Sequence, residues 1–181
     1  MRRTIIAPAD PGAAALAELK DWLGIHTSAE DGLLARLLLA ALDACEGFTG
    51  TMPLAQTCAD TVPVCERWQR LSARPVSAIT QVSGLPAEGS AFALAVDAYA
   101  IDIDAEGTGM VRVIRPGSAG RAEVRYLAGL ASAWENLPGG LRHGCVRLAA
   151  HLYRSRDNGE SKAVPAAVAA LWRPWRRMQL T

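Results

Sequence analysis

The stretch SAEDGLLARLLLAALDACEGFTG, residues 28–50, decides how the rest of the chain folds. Its leucines, alanines and single cysteine recur every three or four residues, which is the spacing of one face of an α-helix. Leu33, Leu39 and Leu42 widen this face until little of the helix is polar. A helix that is apolar over most of its girth lies at the centre of a core or against other subunits. We therefore predict a helix over about residues 28–48, and we take its breadth as a first indication of oligomerisation.

Helical spacing also occurs on both sides of this segment. Residues 13–23 repeat leucine along one stripe, and Gly24 ends that helix. Residues 138–155 carry another apolar stripe, made of Leu141, Cys145, Leu148 and Leu152. A last short helix, over about 164–172, ends before Pro174. Two helices are therefore predicted before the long middle segment of the chain, and two after it.

Between about residues 54 and 130 the pattern changes to that of β-strands. Tyr99, Ile101 and Ile103 alternate with more polar neighbours, which is the period of a half-buried strand. A turn at 105–109 and an apolar run at 110–114 then predict a hairpin. No helix-length segment separates the strands, so the sheet must be antiparallel. The predicted fold class is α+β: a single domain, 1–181, with a small helical core of about four helices and an inserted antiparallel β-region.

Charge is distributed unevenly along the chain. Nineteen basic and eighteen acidic side chains give a formal net charge of +1, and seventeen of the basic groups are arginine. Residues 141–181 hold eight basic and two acidic groups, a balance of +6, while the preceding residues carry −5. The near-neutral total argues against a general nucleic-acid coat, whereas arginine suits interfaces with carboxylates or phosphates. A high-GC genome would produce the same arginine bias without functional meaning.

Membrane and targeting signals are not evident in the sequence. No apolar run reaches the ~18–20 residues that cross a bilayer. The first residues, MRRTIIAPADPG, reach Pro8 and Asp10 before a signal-peptide core could form. We therefore expect a soluble, intracellular protein that does not associate with membranes.

Catalytic and metal-binding patterns are sparse. His143 and His151 lie eight residues apart, about 12 Å along a helix, which is too far to share a metal ion directly. Four acidic residues near the predicted hairpin could hold a divalent cation, but they lack the calcium-loop pattern and favour a solvated turn: Asp97, Asp102, Asp104 and Glu106. The GxSxG, HExxH and phosphate-loop motifs are absent. We expect no enzymatic activity, no cofactor and no metal site.

The C-terminal segment LWRPWRRMQLT, residues 171–181, interleaves aromatic and basic side chains. Tryptophan and arginine dominate interface hot spots, and two exposed tryptophans would be unusual for a monomer. Three interpretations are open: the tryptophans pack back onto the helical core, the segment docks on another protein, or it binds nucleic acid by base stacking. The docking hypothesis gives residues 173–181 the role of a docking tail, with these candidate residues: Trp172, Arg173, Trp175, Arg176, Arg177 and Met178.

An ordered series of segments resembles the head–tail connector (adaptor) proteins of long-tailed phages, prophages and gene transfer agents. The short helix LAELKDWLGI is followed by the long apolar helix and by the junction FTGTMPLAQT, residues 48–57. RPVSAITQV and VRYLAGLA, residues 74–82 and 124–131, are similar to the two β-region signatures of that family. LPGGLRHGCVRLAAHLYRSR, residues 137–156, is similar to its third helix. The order and spacing of these segments, rather than any one of them, carry the resemblance.

The resemblance implies a structural function without catalysis. In that family a helical core with a variable β insertion assembles as a ring, typically of twelve subunits, beneath the portal protein. The ring extends the DNA channel, through which DNA passes without sequence-specific binding, and joins the portal to a stopper or tail-completion protein. A C-terminal segment commonly reaches the portal, which would give the six candidate residues portal docking as their role. Assembly in the bacterial cytoplasm, followed by residence at the head–tail junction, is the implied location.

Overall fold

The computed structural model describes residues 2–155 and 164–176, and the chain forms two compact units. The helical unit takes residues 10–54 and the chain from Leu130 onward, while the β unit takes the chain up to Ala9 and residues 55–129. Four helices in the described ranges, together with antiparallel sheets, confirm the predicted α+β class. That residues 1–181 behave as a single domain stays a prediction.

In its described residues, the helical unit is built from four amphipathic helices. They are α1 (Gly12–Leu23), α2 (Asp31–Thr49), α3 (Gly139–Arg154) and α4 (Ala166–Trp172), and a 3-10 turn, Arg173–Trp175, continues from α4. Each helix turns one face inward, and the buried side chains include Leu19, Leu34, Leu38, Leu141, Leu148 and Val168. No helix in the described ranges is long and apolar enough to span a membrane.

Only part of the apolar surface of α2 is buried within the chain. Leu34, Leu38 and Cys45 are fully buried, as the helical spacing predicts. Leu39 remains 38% exposed on the opposite side of the helix. Gly50, with φ of 69°, ends α2 in the left-handed conformation that glycine adopts without strain. The helix therefore serves as a core element and still presents an apolar side chain at the surface.

Two backbone segments leave and re-enter the helical unit side by side. The N–H of Leu130 donates to the carbonyl of Met52 at 2.9 Å, and the N–H of Ala131 donates to that of Pro53 at 3.1 Å. A parallel bridge between Leu54 and Ala131 completes the contact. The two ends of the long β segment are thus held next to each other by hydrogen bonds within the helical unit.

In the part of the β unit that the structure describes, eight strands form two antiparallel sheets. In chain order they are β1 (Arg2–Ala7), β2 (Gln56–Pro63), β3 (Gln69–Arg70), β4 (Val76–Pro86), β5 (Phe92–Ala93), β6 (Tyr99–Ile103), β7 (Gly109–Val113) and β8 (Ala119–Ala128). One sheet has the order β1-β2-β8-β4-β5 and the other the order β3-β7-β6. The β-region therefore extends beyond the predicted range of 54–130, because β1 joins it by pairing with β2.

A buried carboxylate fixes the connection between β3 and β4 to the larger sheet. Asp60, on β2, is fully buried and accepts hydrogen bonds from the backbone N–H and the hydroxyl of Ser72, each at 2.7 Å. The backbone N–H of Ala73 donates to the hydroxyl oxygen of Tyr126, on β8, at 3.2 Å. Burial raises the pKa of the Tyr126 phenol well above its ordinary value, so this side chain stays neutral. Together these hydrogen bonds satisfy the polar groups beneath the connection.

The predicted hairpin is present as β6 and β7, paired antiparallel from Tyr99 opposite Val113 to Ile103 opposite Gly109. The prediction that one face of β6 is buried is wrong, because Ile101 is 44% exposed and Ile103 is 37% exposed. The physical reason is position: β6 is an edge strand, and its last three residues are exposed on both faces. The hairpin therefore carries aliphatic side chains on its surface.

Candidate docking site on the helical unit

Trp172, the last residue of α4, belongs to the core rather than to a docking surface. Its side chain is fully buried, and its indole N–H donates to the carbonyl of Leu141 at 3.3 Å. Its ring lies 5.9 Å from that of Phe48, at the end of α2, in a tilted arrangement. This burial leaves Trp172 no surface for a protein partner or a nucleic-acid base, so the first of the three interpretations of the segment applies to this residue.

Two glycines of α3 make room for the segment that contains both tryptophans. A Cβ atom added to Gly144 would lie 2.1 Å from Nε1 of Trp172, so any side chain there would displace the indole. A Cβ atom added to Gly140, one turn earlier, would lie 3.6 Å from Nε1 of Trp175. The spacing of four residues places both glycines on one side of α3. The backbone of α3 is therefore the surface against which α4 and the 3-10 turn pack.

The remaining described candidates form a basic surface around a half-buried indole. Arg173 and Arg176 are exposed, and Trp175 is partly covered. The Arg176 guanidinium lies 5.6 Å above the ring of Phe48, a cation–π contact that positions its charge. Arg177 and Met178 lie outside the described residues. The structure thus brings two guanidinium groups and one indole together as a surface that can bind carboxylates.

A second basic and aromatic surface, not assigned from the sequence, lies between α1, α3 and α4. Trp22 on α1 is 44% exposed, and its ring meets that of His143 edge-on at 5.2 Å. Beside it, a cavity of about 210 Å³ is lined by Trp22, Arg147, His151, Arg154, Pro165, Ala167 and Val168. We call this cavity and its lining the α3 groove. The one sequence signal for it was that the arginines of α3 fall off its apolar stripe.

Two of the acidic residues near the hairpin have partners within the fold. A side-chain oxygen of Asp104 accepts hydrogen bonds from the backbone N–H groups of Glu106, at 3.1 Å, and of Thr108, at 2.6 Å. Asp97 forms an ion pair with Arg115. The described ranges contain no group of three or more His, Cys, Asp or Glu side chains placed to share a metal ion. Asp104 therefore supports the turn, and Asp97 holds the guanidinium group of Arg115.

Comparison with solved structures finds likeness over the full length of the chain. A chain of the neck of an empty GTA particle, computed with C6 symmetry, has a TM-score of 0.80 and 27% identity. A chain of the neck of the native GTA particle, computed with C12 symmetry, has a TM-score of 0.78, and one from the virion of the native gene transfer agent (GTA) particle has 0.76, each at 26% identity. Each match covers 100% of this chain and 98% of the other.

No protein-family model and no curated protein matches the chain. All three matched chains come from gene transfer agent particles, and two of them come from necks computed with C6 or C12 symmetry. This likeness supports a structural role in a particle neck and a homo-oligomeric ring.

Proposed function

We propose that this chain is a head–tail adaptor, which assembles as a ring under the portal of a phage or gene transfer agent particle. The ring extends the DNA channel and joins the capsid to the stopper or tail. Assembly begins in the bacterial cytoplasm and ends at the head–tail junction. The full-length likeness to neck proteins of a gene transfer agent carries this proposal. The order of helices and strands expected of the adaptor family supports it.

The surface of the helical unit is consistent with assembly into a ring of about twelve subunits. Leu39 on α2 and Trp22 on α1 remain exposed in the single chain, and burying such side chains between subunits is favourable. A head-to-tail contact between two different surfaces closes into a ring when its rotation divides a full turn. The chain thus has apolar surface available for neighbours on the unit that also carries the basic segment.

The division of charge along the chain fits a conduit for DNA. The −5 carried by residues 1–140 favours a channel that DNA traverses without being held, because repeated arginines on the wall would bind phosphates. The +6 of residues 141–181 instead suits docking on an acidic portal surface. The burial of Trp172 removes one of the two tryptophans of the C-terminal segment on which a base could stack, which weakens the nucleic-acid alternative.

Electron microscopy of this protein mixed with purified portal rings of the same particle tests the proposal. We expect averaged images to show an added ring of density coaxial with the portal, with about twelve subunits. The portal alone is the reference, and an equal amount of a small unrelated protein is the control for nonspecific binding. Portal rings that stay bare at saturating protein would contradict the adaptor role.

Reversing charge at Arg173 and Arg176 is expected to weaken portal docking. Both side chains are exposed, so Arg173→Glu with Arg176→Glu alters the docking surface without removing a buried group. We expect the affinity for portal rings to fall by about tenfold or more, and the wild-type affinity to fall as salt rises. Sedimentation of portal-bound protein at several salt concentrations measures both effects.

The matched control is Arg70→Glu with Arg121→Glu, which reverses two exposed arginines of the β unit. If this control weakens docking equally, or if docking is insensitive to salt, the C-terminal segment is not the portal-docking surface. Point substitutions are preferred over deletion of residues 171–181, because that deletion would remove the buried side chain of Trp172.

A further inference from the structure

The α3 groove combines an apolar floor with a basic rim. Trp22, Ala167 and Val168 contribute apolar surface to a cavity of about 210 Å³, which has room for an aliphatic side chain. Arg147, His151 and Arg154 stand along one side of α3 at spacings of four and three residues, so they share a face of the helix. Among the described residues, no carboxylate lies within ion-pair distance of Arg147 or Arg154.

The β6–β7 hairpin has the complementary character. Ile101 and Ile103 are exposed aliphatic side chains on its edge strand. Residues 99–109 contain three acidic side chains and no basic one. Two of the three, Asp102 and Glu106, are exposed. The hairpin therefore offers an apolar side chain flanked by carboxylates, whereas the groove offers an apolar cavity flanked by guanidinium groups.

We propose that the β6–β7 hairpin of one copy of this chain docks in the α3 groove of the next copy. Ile101 fills the cavity beside Trp22, while Asp102 and Glu106 form ion pairs with Arg147 and Arg154. This inference rests on the proposed ring function and names the contact that builds the ring. The two surfaces differ, so the contact is heterologous and leaves each copy with one groove and one hairpin for its two neighbours.

A second copy fits the groove better than another partner because of charge and stoichiometry. Every chain carries one acidic hairpin and one basic groove, so the surfaces are supplied in equal number. Both surfaces are exposed to solvent in the single chain, so each is desolvated only when a second copy binds. Burial of an aliphatic anchor excludes water, which strengthens the flanking ion pairs. An acidic segment of a different neck protein is the competing occupant.

Site-specific photocrosslinking tests the contact in the full chain. Benzoylphenylalanine replaces Ile101, and isotopically light and heavy proteins are mixed at near-millimolar concentration before irradiation. We expect crosslinks between light and heavy chains whose acceptor peptides contain Trp22, residues 147–154 or residues 165–168. Glu88, which is exposed and lies between β4 and β5, is the control position and should give few such crosslinks. Crosslinks that are absent, confined to one chain or directed to another surface would overturn the proposal.

Variants in which the charges of the two surfaces are reversed provide a second test of the contact. Asp102→Arg with Glu106→Arg, or Arg147→Glu with Arg154→Glu, should each lower the yield of crosslinks about tenfold. All four substitutions in one chain should restore the yield to that of the parent protein. Circular dichroism establishes that each variant is folded. No restoration in folded protein would show that these charges do not pair.

The outcomes separate this contact from the proposed function. A ring on the portal with crosslinks to another surface would refute the hairpin contact and leave the adaptor role standing. Crosslinks to the α3 groove without a ring on the portal would support the contact and refute the adaptor role. Crosslinks to the groove that arise only when another neck protein is added, and that join the two proteins, would assign the groove to that protein.

Discussion

Replacing Trp172 by alanine is expected to lower the free energy of unfolding of the helical unit by about 3–5 kcal/mol. The substitution empties a fully buried site next to Phe48 and removes the donor to the Leu141 carbonyl. Because α4 is only seven residues long, it depends on this anchor rather than on its own helix propensity. Urea denaturation followed by the helical circular dichroism signal measures the loss.

Trp22→Ala is the matched control, since this indole is 44% exposed. It should cost clearly less than Trp172→Ala, because close to half of the Trp22 side chain already faces solvent. Equal losses for the two variants would show that Trp172 does not hold α4 to the core.

Two glycine substitutions, one in α3 and a control in α2, test the packing of Trp172 against α3. Gly144→Ala places a Cβ atom in the space of the Trp172 indole and should cost about 3 kcal/mol. Gly47→Ala, in α2, meets no atom within 4 Å and should stabilise the helix by about 0.5–1 kcal/mol. The opposite signs are the expected result. A neutral Gly144→Ala variant would mean that the indole is not seated against α3.

Replacing Asp60 by alanine is expected to lower the stability of the β unit by about 3 kcal/mol. The carboxylate is fully buried and accepts two hydrogen bonds from Ser72, so its removal breaks both bonds and leaves a cavity on β2. Arg3, on β1, lies directly opposite Asp60 in the strand pairing, so the edge strand is expected to loosen as well. Urea denaturation measures the loss, and hydrogen exchange of the β1 amides reports the loosening.

Asp102→Ala is the control for this variant, because Asp102 is exposed on the edge strand. Its cost should stay within about 0.5 kcal/mol. If the two aspartate variants unfold at the same urea concentration, the network beneath Ser72 contributes nothing measurable to stability.

The sequence predicted the helices well because their buried faces repeat locally. Leu34, Leu38 and Cys45 on α2, and Leu141 and Cys145 on α3, are buried as the spacing of three and four residues requires. β1 was not predicted. The residues RRTII show no alternation of polar and apolar side chains, and their partner strand, β2, lies far along the chain. Pairing between distant segments leaves little trace in local sequence.

Local sequence also gives little information about which side chains of the candidate site are exposed. Trp172 and Trp175 look alike in the sequence, three residues apart in an arginine-rich segment. Only the fold distinguishes them, because Gly144 of α3 leaves the space that the Trp172 indole occupies. The sequence GGLRHG, residues 139–144, is the one signal that could have located this cavity. The sequence also did not identify Trp22 as a surface residue. It adjoins the apolar stripe of α1, which suggests burial, and its actual exposure depends on how α3 packs beside it.

The side-by-side exit and return of the backbone at Met52–Leu54 and Leu130–Ala131 has an evolutionary consequence. Because the ends of the intervening segment are already held together, its loop-closure entropy changes by only about 0.6 kcal/mol for each doubling of its length. Insertions and deletions between residues 55 and 129 therefore perturb the four-helix packing little. The strands can therefore change in length and shape while the packing of the helices stays the same.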